Sequence, residues 1–225
     1  MDFTFGVITS GGNDDNLNLI VDTIEKLAIG KYEILVIGAS SISRKNVKVV
    51  PFNEAQKIAW ITRKKNLITN LATYENIVYL HDYVVFNPDW YKGFLKSGDD
   101  FKLCMNIILD KQGKRYRDWT LWVEDGLKLG VTSPNFLLPY SEGSLSKYMY
   151  FSGAYWVAKK HVMLEFPLNE TLCWDQGEDV EWSKRVRQKY NFSMNPFSKV
   201  ELIKDKHAIF RDINEQELKR IKGVI

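Results

Sequence analysis

Residues 76–90 read NIVYLHDYVVFNPDW, and this stretch decides the class of fold that we expect. Its first five residues are almost wholly apolar, which is typical of a strand buried on both faces of a sheet. The polar pair His81-Asp82 follows at once, and turn-forming residues come shortly afterwards. The stretch therefore predicts a buried strand that delivers His81 and Asp82 to the edge of a sheet.

Strands and helices alternate on the N-terminal side of this stretch. Residues 3–10 (FTFGVITS), 34–37 (ILVI) and 47–52 (VKVVPF) are predicted as strands. Apolar residues recur with a period near 3.6 over residues 17–28 and 56–72, which predicts two amphipathic helices. Near-continuous apolar strands separated by helices are typical of a parallel sheet covered on both faces.

The ends and faces of these two helices are also predictable. Asn13 or Asp14 is expected to cap the first helix, and Gly30 to end it. The second helix is expected to place one apolar stripe against the sheet, formed by Trp60, Ile61, Leu67, Ile68 and Leu71.

The C-terminal half of the chain is less regular. Strands are predicted over residues 101–109 and 152–159, with one or two short ones in 192–204, a turn at 110–113 and a helix at 178–190. Residues 129–147 are rich in Ser, Gly and Pro, and a loop of that length is commonly functional. We predict a single α/β domain over residues 1–225.

The composition excludes several classes of protein. The 225 residues are 45% hydrophobic and 26% charged, which excludes a disordered or fibrous chain. The net charge of +3 is spread along the chain, so no nucleic-acid partner is expected. Neither a signal peptide nor a membrane-spanning run is predicted. Cys104 and Cys173 are expected to be two buried thiols of a reducing, cytoplasmic compartment.

Ligands of open parallel sheets bind beyond the carboxyl ends of the strands. Here those ends are Thr9-Ser10-Gly11, Gly38-Ala39-Ser40 and His81-Asp82. Carboxylate oxygens suit Mg²⁺ or Mn²⁺, and imidazole is acceptable to Mn²⁺. The alternative for Asp82 is an ordinary turn residue at a strand end.

Residues 174–179 (WDQGED) hold three carboxylates at a predicted helix start. Simple helix capping explains such a cluster, because the helix dipole favours negative charge there. The functional alternative is a general base, for which Asp179 is the candidate, with Glu178 beside it.

Further candidates are less distinctive. Residues 63–65 (RKK) on the second helix are expected to form a solvated face, yet Lys64 lies within the apolar stripe, where a pyrophosphate partner would explain it. Asp118, Trp119 and Trp122 precede the long loop and either stack on a sugar ring or pack beneath the loop. His207 is one of three histidines, and a structural role is its alternative. The glycines after the first strand lack the spacing of a dinucleotide-binding motif.

In order and spacing, these features resemble the GT-A nucleotide-sugar glycosyltransferases, especially the inverting enzymes of glycosyltransferase family two. Lys65-Asn66-Leu67 is similar to the family's Arg-Asn helix motif, and His81-Asp82-Tyr83 lies where the family has Asp-x-Asp before a Pro-Asp-Trp segment. Gly177-Glu178-Asp179 resembles the motif that supplies the base, after a strand that begins at 152–154 (SGA). The resemblance spans residues 3–210 and departs at His81 and Tyr83.

The resemblance implies a role for each site residue. Residues 1–100 would bind the nucleotide sugar and residues 101–225 the acceptor. The donor would contact Thr9, Ser10, Gly11, Ser40, Lys64, Lys65, Asn66, His81, Asp82 and Gly153. The acceptor would contact Asp118, Trp119, Trp122 and Trp174. Mn²⁺ or Mg²⁺ would be held by Asp82, His81 and His207.

The implied reaction transfers a sugar from a nucleoside diphosphate, with uridine the family's commonest base, to a hydroxyl of a glycan or similar acceptor. The reaction would be metal-dependent and inverting, and it would belong to glycan biosynthesis. Asp179 would act as the base and Glu178 would orient the acceptor. Residues 131–147 would close over the donor. The alternatives are a nucleotidyltransferase, disfavoured by the acidic stretch after the first strand, and a noncatalytic sugar-binding protein.

Overall fold

The computed structural model of the chain describes residues 1–122, 136–206 and 210–224. Its strands are β1 (Phe3–Ile8), β2 (Tyr32–Ile37), β3 (Val47–Val50), β4 (Asn76–His81), β5 (Val84–Phe86), β6 (Leu103–Leu109), β7 (Thr120–Leu121), β8 (Phe136–Leu137), β9 (Met149–Tyr150), β10 (Tyr155–Lys159), β11 (Phe192–Leu202) and β12 (Arg211–Asp212). Its α-helices are α1 (Asp14–Glu25), α2 (Ile61–Leu71), α3 (Trp90–Ser97), α4 (Lys160–Glu165), α5 (Glu178–Val186) and α6 (Glu215–Val224).

An eight-stranded sheet forms the centre of the molecule, in the order β3-β2-β1-β4-β10-β6-β11-β5. The four strands from β3 to β4 are parallel, as predicted, while β10 runs antiparallel between β4 and β6. All six residues of β1 are buried, which explains their continuous apolar character. Ile8 pairs with His81, so β1 and β4 end side by side and bring Thr9 next to Asp82.

Helix α1 lies where it was predicted but ends earlier. It stops at Glu25 rather than near Gly30, and Ala28 then adopts a positive φ of 55°. Asn13 is the N-cap residue, yet its side chain makes no capping hydrogen bond. The side-chain amide instead binds Asp82, which ties the start of α1 to the end of β4.

The prediction for α2 was wrong in its start and in its apolar stripe. The helix begins at Ile61, because Ala59 has a positive φ of 53° that no α-helix accommodates. Leu71 is 38% exposed and Leu67 is only partly buried. The buried face instead includes the polar run 64–66 (KKN), because α2 packs where polar backbone ends of the sheet need partners.

Helices α3, α4 and α6 were not predicted from the sequence. Trp90 begins α3, and its ring packs against those of Phe3, Phe86 and Phe94. Helix α4 directly follows β10, and α6 follows β12. Residues 192–202 form one strand with a register shift between Asn195 and Lys199, rather than two short strands.

The long loop is only partly described. Residues 129–135 of the predicted 129–147 loop lie outside the described residues. Among residues 136–147, the strand β8 joins a small sheet of order β12-β8-β7-β9. A 3₁₀ turn then spans Ser146–Tyr148. Closure of residues 131–147 over a donor stays a prediction.

Both cysteines are free thiols, as predicted, but only one is buried. Cys104 is 2% exposed, and burial raises the pKa of its thiol to about 12. Cys173 is partly exposed, because it lies in the loop before α5 rather than on a strand. The reducing, cytoplasmic compartment stays a prediction. Within the described ranges, every helix is too short or too polar to cross a bilayer.

Candidate active site

A cleft of about 740 Å³ lies beyond the carboxyl ends of β1 and β4. Its walls come from the loop after β1, the start of α2, the end of β4 and the segment after β11. We call this space the cleft; it is lined by Ile8, Thr9, Ser10, Asn13, Asn16, Ala59, Ile61, Lys64, His81, Asp82, Tyr83, Lys111, Trp174, Ile203, Lys204, Asp205 and Lys206. The structure thus brings together six of the residues predicted from the sequence.

Asp82 organises the floor of the cleft. Its Oδ2 accepts hydrogen bonds from the Thr9 hydroxyl at 2.6 Å and from the Asn13 amide at 2.7 Å. The backbone N–H of Gly11 donates to Thr9 Oγ1 at 3.1 Å, and Gly11 has a φ of 97°, which favours glycine. Asp82 therefore joins the ends of β1 and β4 to the turn that enters α1.

Lys64 forms one side of the cleft. Its side chain is 1% exposed, and its Nζ donates to the carbonyl oxygen of Thr9 at 2.7 Å and to the carboxylate of Glu54. The ammonium group also lies 5.1 Å from the ring centre of Phe52. A buried cation needs such partners, because desolvation without them is costly.

A second, smaller cavity of about 60 Å³ adjoins the cleft. We call it the acidic cavity, because Glu178 and Asp179 line it from the start of α5. It is lined by His81, Tyr83, Tyr116, Arg117, Ser152, Gly153, Ala154, Trp174, Glu178, Asp179 and Lys206. Four of these residues also line the cleft: His81, Tyr83, Trp174 and Lys206. We call these four residues the junction.

Backbone groups hold the carboxylate of Asp179 in place. Its Oδ2 accepts from the N–H of Gly153 at 2.9 Å, and its Oδ1 accepts from the N–H of Val180 at 2.9 Å. A Cβ added at Gly153 would lie 3.0 Å from Glu178 Oε1 and 3.3 Å from Asp179 Oδ2. A side chain at this position would crowd both carboxylates, so glycine suits the close approach of this turn.

Lys65 lies fully buried beside the acidic cavity. Its Nζ donates to the carbonyl oxygen of Gly153 at 2.8 Å and lies 4.4 Å from the ring centre of Trp156. Burial lowers the pKa of Lys65 to about 8, against the raising effect of Glu178 and Asp179. The lysine therefore places a positive charge next to two carboxylates.

Glu178 and Asp179 differ in their surroundings. Burial, followed by the charge of Asp179, raises the pKa of Glu178, while Lys65 and Arg117 act in the opposite direction. Asp179 is less buried, and each of its two carboxylate oxygens accepts a hydrogen bond from a backbone N–H group. The two carboxylates therefore differ in that Glu178 is buried with a raised pKa, whereas Asp179 is held in place by the backbone.

The sequence reasoning missed two cations of the site. Arg117 has a positive φ of 45°, and its Nε and Nη2 donate to the Tyr150 hydroxyl at 2.9 and 2.7 Å. Lys206 lines both cavities, although only His207 of that segment was singled out from the sequence. The sequence did contain a signal for Lys206, because two lysines in residues 204–206 (KDK) directly precede His207, the candidate metal ligand.

Ser40 and Asn66 do not line either cavity. The Ser40 hydroxyl donates to Asp14 Oδ1 at 2.7 Å, and hydrogen bonds from Ser41 and Ser40 lower the pKa of Asp14. The Asn66 amide binds Leu168 through both of its polar atoms, at 2.9 and 3.0 Å. A direct contact of either residue with a nucleotide stays a prediction.

Three of the four predicted acceptor residues also lie away from both cavities. Asp118 is fully buried and pairs with Arg115 at 2.8 Å, and the Trp119 indole donates to the Glu142 carbonyl at 2.7 Å. Trp122 packs edge-on against Tyr150, with ring centres 5.6 Å apart. These contacts match the packing alternative, whereas Trp174 is 58% exposed and belongs to the junction.

The residues predicted to hold a metal are only partly brought together. His207 lies outside the described residues. Burial, then the charges of Lys65, Lys206 and Lys64, keep the pKa of His81 well below its usual value, so its imidazole is neutral. The described parts of the chain contain no group of three His, Cys, Asp or Glu side chains arranged to hold a metal ion. Asp82 is the one carboxylate at this strand end, and the described donor set does not fit a divalent cation.

Comparisons with known proteins give a fold. GalNAc-T7, solved with UDP, GalNAc and Mn²⁺, matches all of this chain with a TM-score of 0.60 at 15% identity. Residues 1–349 of S. aureus TarS, solved with UDP-GlcNAc, match all of it with a TM-score of 0.59 at 10% identity. This chain spans 47% of the GalNAc-T7 chain and 65% of the TarS chain. No family model and no curated protein matches it.

These likenesses extend over the entire chain but rest on structure rather than on sequence. The predicted GT-A fold of the glycosyltransferases is confirmed by them.

Proposed function

We propose that this chain is a glycosyltransferase that moves a sugar from a nucleoside diphosphate to a hydroxyl group. The observation that carries the proposal is the junction, where a cleft large enough for a nucleotide meets a cavity with two carboxylates. A donor bound with its nucleoside near Thr9 and Ser10 would present its sugar to that cavity. The reacting carbon would then lie between the leaving diphosphate and the acidic pair.

The donor that we propose is a UDP-sugar. UDP or UDP-GlcNAc was bound in the GalNAc-T7 and TarS structures, which share the fold of this chain. Thr9 and Asp82 form a polar floor at the strand ends, which is where open α/β sheets bind their ligands. The lysines around this floor add the positive charge that a diphosphate requires.

The proposed reaction is a single displacement at the anomeric carbon. The acceptor oxygen forms a bond to that carbon, and the bond from the carbon to the diphosphate oxygen breaks with its electron pair. The proton of the acceptor hydroxyl passes to the Asp179 carboxylate, which backbone N–H groups of Gly153 and Val180 orient. The configuration at the anomeric carbon is inverted, because attack comes from the face opposite to the diphosphate.

Glu178 and Trp174 are proposed to position the acceptor. The raised pKa of Glu178 allows its carboxyl group to donate a hydrogen bond as well as to accept one. Trp174 offers an exposed ring at the junction, where the apolar face of a sugar can stack. The acceptor roles predicted for Asp118, Trp119 and Trp122 would require their buried or packed side chains to become exposed.

No step of this reaction is assigned to a metal ion. Mn²⁺ accompanies UDP in the GalNAc-T7 structure, and a divalent cation would there supply a Lewis acid for the diphosphate. In this chain the described donors at the corresponding strand end are Asp82 and a neutral His81, with lysines around them. The prediction that the reaction requires a metal ion therefore depends on His207 as a further metal ligand.

The proposal is tested by incubating the protein with UDP-, GDP- and dTDP-sugars and measuring the nucleoside diphosphate released. A glycosyltransferase should hydrolyse its own donor slowly even without acceptor, whereas a sugar-binding protein should release nothing. A nucleotidyltransferase should instead form pyrophosphate from a nucleoside triphosphate and a sugar phosphate. Once an acceptor is found, NMR of the product should show inverted anomeric configuration; retained configuration would contradict the single displacement.

A further inference from the structure

The cleft carries more positive than negative side chains. Four lysines line it against two aspartates: Lys64, Lys111, Lys204 and Lys206 against Asp82 and Asp205. Lys64 is paired with Glu54, and Lys111 with Asp205 at 3.4 Å. Among the described residues, Lys204 and Lys206 have no carboxylate partner within ion-pair distance. Two cations are therefore available at this face for an anionic ligand.

Lys206 lies at the junction itself. Its Nζ is 4.8 Å from the ring centre of Tyr83, the residue that follows Asp82, and the Nζ of Lys204 is 5.9 Å from the same ring. Lys206 is half-buried and borders both the cleft and the acidic cavity. This is the place where the bond between sugar and diphosphate must lie in the proposed reaction.

Neighbouring charges make this place unfavourable for another cation and favourable for an anion. Lys204 and Lys206 line the cleft together with Lys64, and Arg117 lines the acidic cavity together with Lys206, so like charges repel one another here. A divalent ion would add to this repulsion, whereas a diphosphate would relieve it.

We propose that Lys206, assisted by Lys204, binds the diphosphate of the donor in place of a divalent cation, so that donor binding requires no metal. The inference rests on the proposed function, because it assigns the cleft to a nucleoside diphosphate. As the bond from the anomeric carbon to the diphosphate oxygen breaks, the electron pair stays on that oxygen. The Lys206 ammonium group stabilises the growing charge there by a charge-assisted hydrogen bond.

The experiment is calorimetric titration of the full chain with UDP, GDP and ADP, each in EDTA and in Mn²⁺. At least one nucleoside diphosphate should bind wild-type protein in EDTA, and Mn²⁺ should change its Kd by less than about twofold. Lys206→Met keeps the apolar stem against Tyr83 but removes the charge. It should weaken binding roughly 10- to 100-fold in EDTA, the range of one hydrogen bond to a charged group.

Two further variants separate charge from folding. Lys206→Arg keeps the charge and should bind within about threefold of wild type. A merely structural role of the lysine stem would instead predict that Lys206→Met binds as wild type does. Lys26 is exposed just after α1 and lines neither the cleft nor the acidic cavity. Lys26→Met should leave binding unchanged, and circular dichroism should show all variants folded.

Three results would overturn the inference. Binding only in Mn²⁺ would reject it while leaving the proposed function intact, and loss of that binding in His207→Ala would assign the metal to His207. Binding in EDTA that both Lys206→Met and Lys204→Met retain in full would reject the lysines as the diphosphate ligands. Failure of all three nucleoside diphosphates to bind under either condition would contradict the proposed function and the inference together.

Discussion

The cleft and the acidic cavity share one helix but differ in charge. Lys64 and Lys65 follow each other on α2, and both are buried. Lys64 binds the Thr9 carbonyl and Glu54 at the cleft, whereas Lys65 binds the Gly153 carbonyl beside Glu178 and Asp179. Successive residues of a helix point in directions about 100° apart, so one turn of α2 supplies both spaces.

The two regions differ in the amount of negative charge that lies near their lysines. In the acidic cavity, Lys65 faces two carboxylates and offsets part of their mutual repulsion. In the cleft, the lysines without an ion-pair partner outnumber the free carboxylates among the described residues, so the cleft favours an anion. The sites that we propose for proton transfer and for anion binding thus lie next to each other, and each has lysines beside it.

The largest expected effect is on turnover. It tests whether the acidic cavity serves the chemical step while the cleft serves donor binding. Asp179→Asn keeps the size of the side chain but removes its basicity. We expect turnover to fall roughly 100-fold or more, about 2.7 kcal/mol, because proton transfer develops only in the transition state. The Kd of the donor should stay within about twofold, measured by calorimetry.

If Asp179→Asn keeps near wild-type turnover but has a lower melting temperature, the role of Asp179 is only to cap the start of α5. Ser10 is exposed at the cleft and distant in sequence from α5. Ser10→Ala serves as the contrasting variant, because it should affect the Kd of the donor and not the chemical step.

The second expected effect is on stability, and it is specific to Lys65. The pKa of about 8 in the folded protein is below the usual 10.5, so the unfolded chain binds more protons between these values. Stability should therefore rise as pH increases through this window. From pH 7.5 to 9.5, the free energy of unfolding of wild type should gain about 2 kcal/mol relative to Lys65→Met.

Urea unfolding of both proteins at the two pH values measures this difference, and groups common to both cancel. Lys26→Met, which removes an exposed lysine, should follow the pH dependence of wild type. A Lys65→Met variant that also follows wild type would show that Lys65 is not desolvated in the folded protein.

The third expected effect concerns the floor of the cleft. Asp82→Asn replaces the carboxylate that accepts hydrogen bonds from Thr9 and Asn13. We expect UDP to bind roughly tenfold more weakly, because a charged acceptor is lost and the two donors are left misaligned. The loss should be the same in EDTA and in Mn²⁺. A loss confined to Mn²⁺ would make Asp82 a metal ligand, as the resemblance implied.

The smallest expected effect lies at the junction, on the acceptor side. Trp174→Ala removes a ring that is 58% exposed, so the melting temperature should hardly change. The KM for the acceptor should rise about 2- to 10-fold, the range of one stacking contact, with the Kd of the donor unchanged. Phe197 is 45% exposed outside both cavities, and Phe197→Ala should leave both values unchanged. An unaltered KM in Trp174→Ala would remove Trp174 from the acceptor site.

Local patterns in the sequence determined much of the sheet and part of the site. The strands β1, β2 and β4 were predictable because each is a short apolar run between polar or glycine residues. Parallel strands end at the same edge of a sheet, so the apolar runs alone were enough to expect Thr9 and Asp82 together. The acidic start of α5 was equally visible, since Gly177 directly precedes Glu178 and Asp179.

Only the tertiary structure decided what surrounds each charge. Whether Lys65 is buried, whether Asp118 faces solvent and whether Lys206 reaches the junction depend on segments far apart in the chain. The free energy of an ionised side chain is set by desolvation and by partners that packing brings near, and neither leaves a periodic pattern in the local sequence. The sequence therefore singled out the carboxylates of the candidate site, and only the tertiary structure brought the cations Lys65 and Arg117 near them.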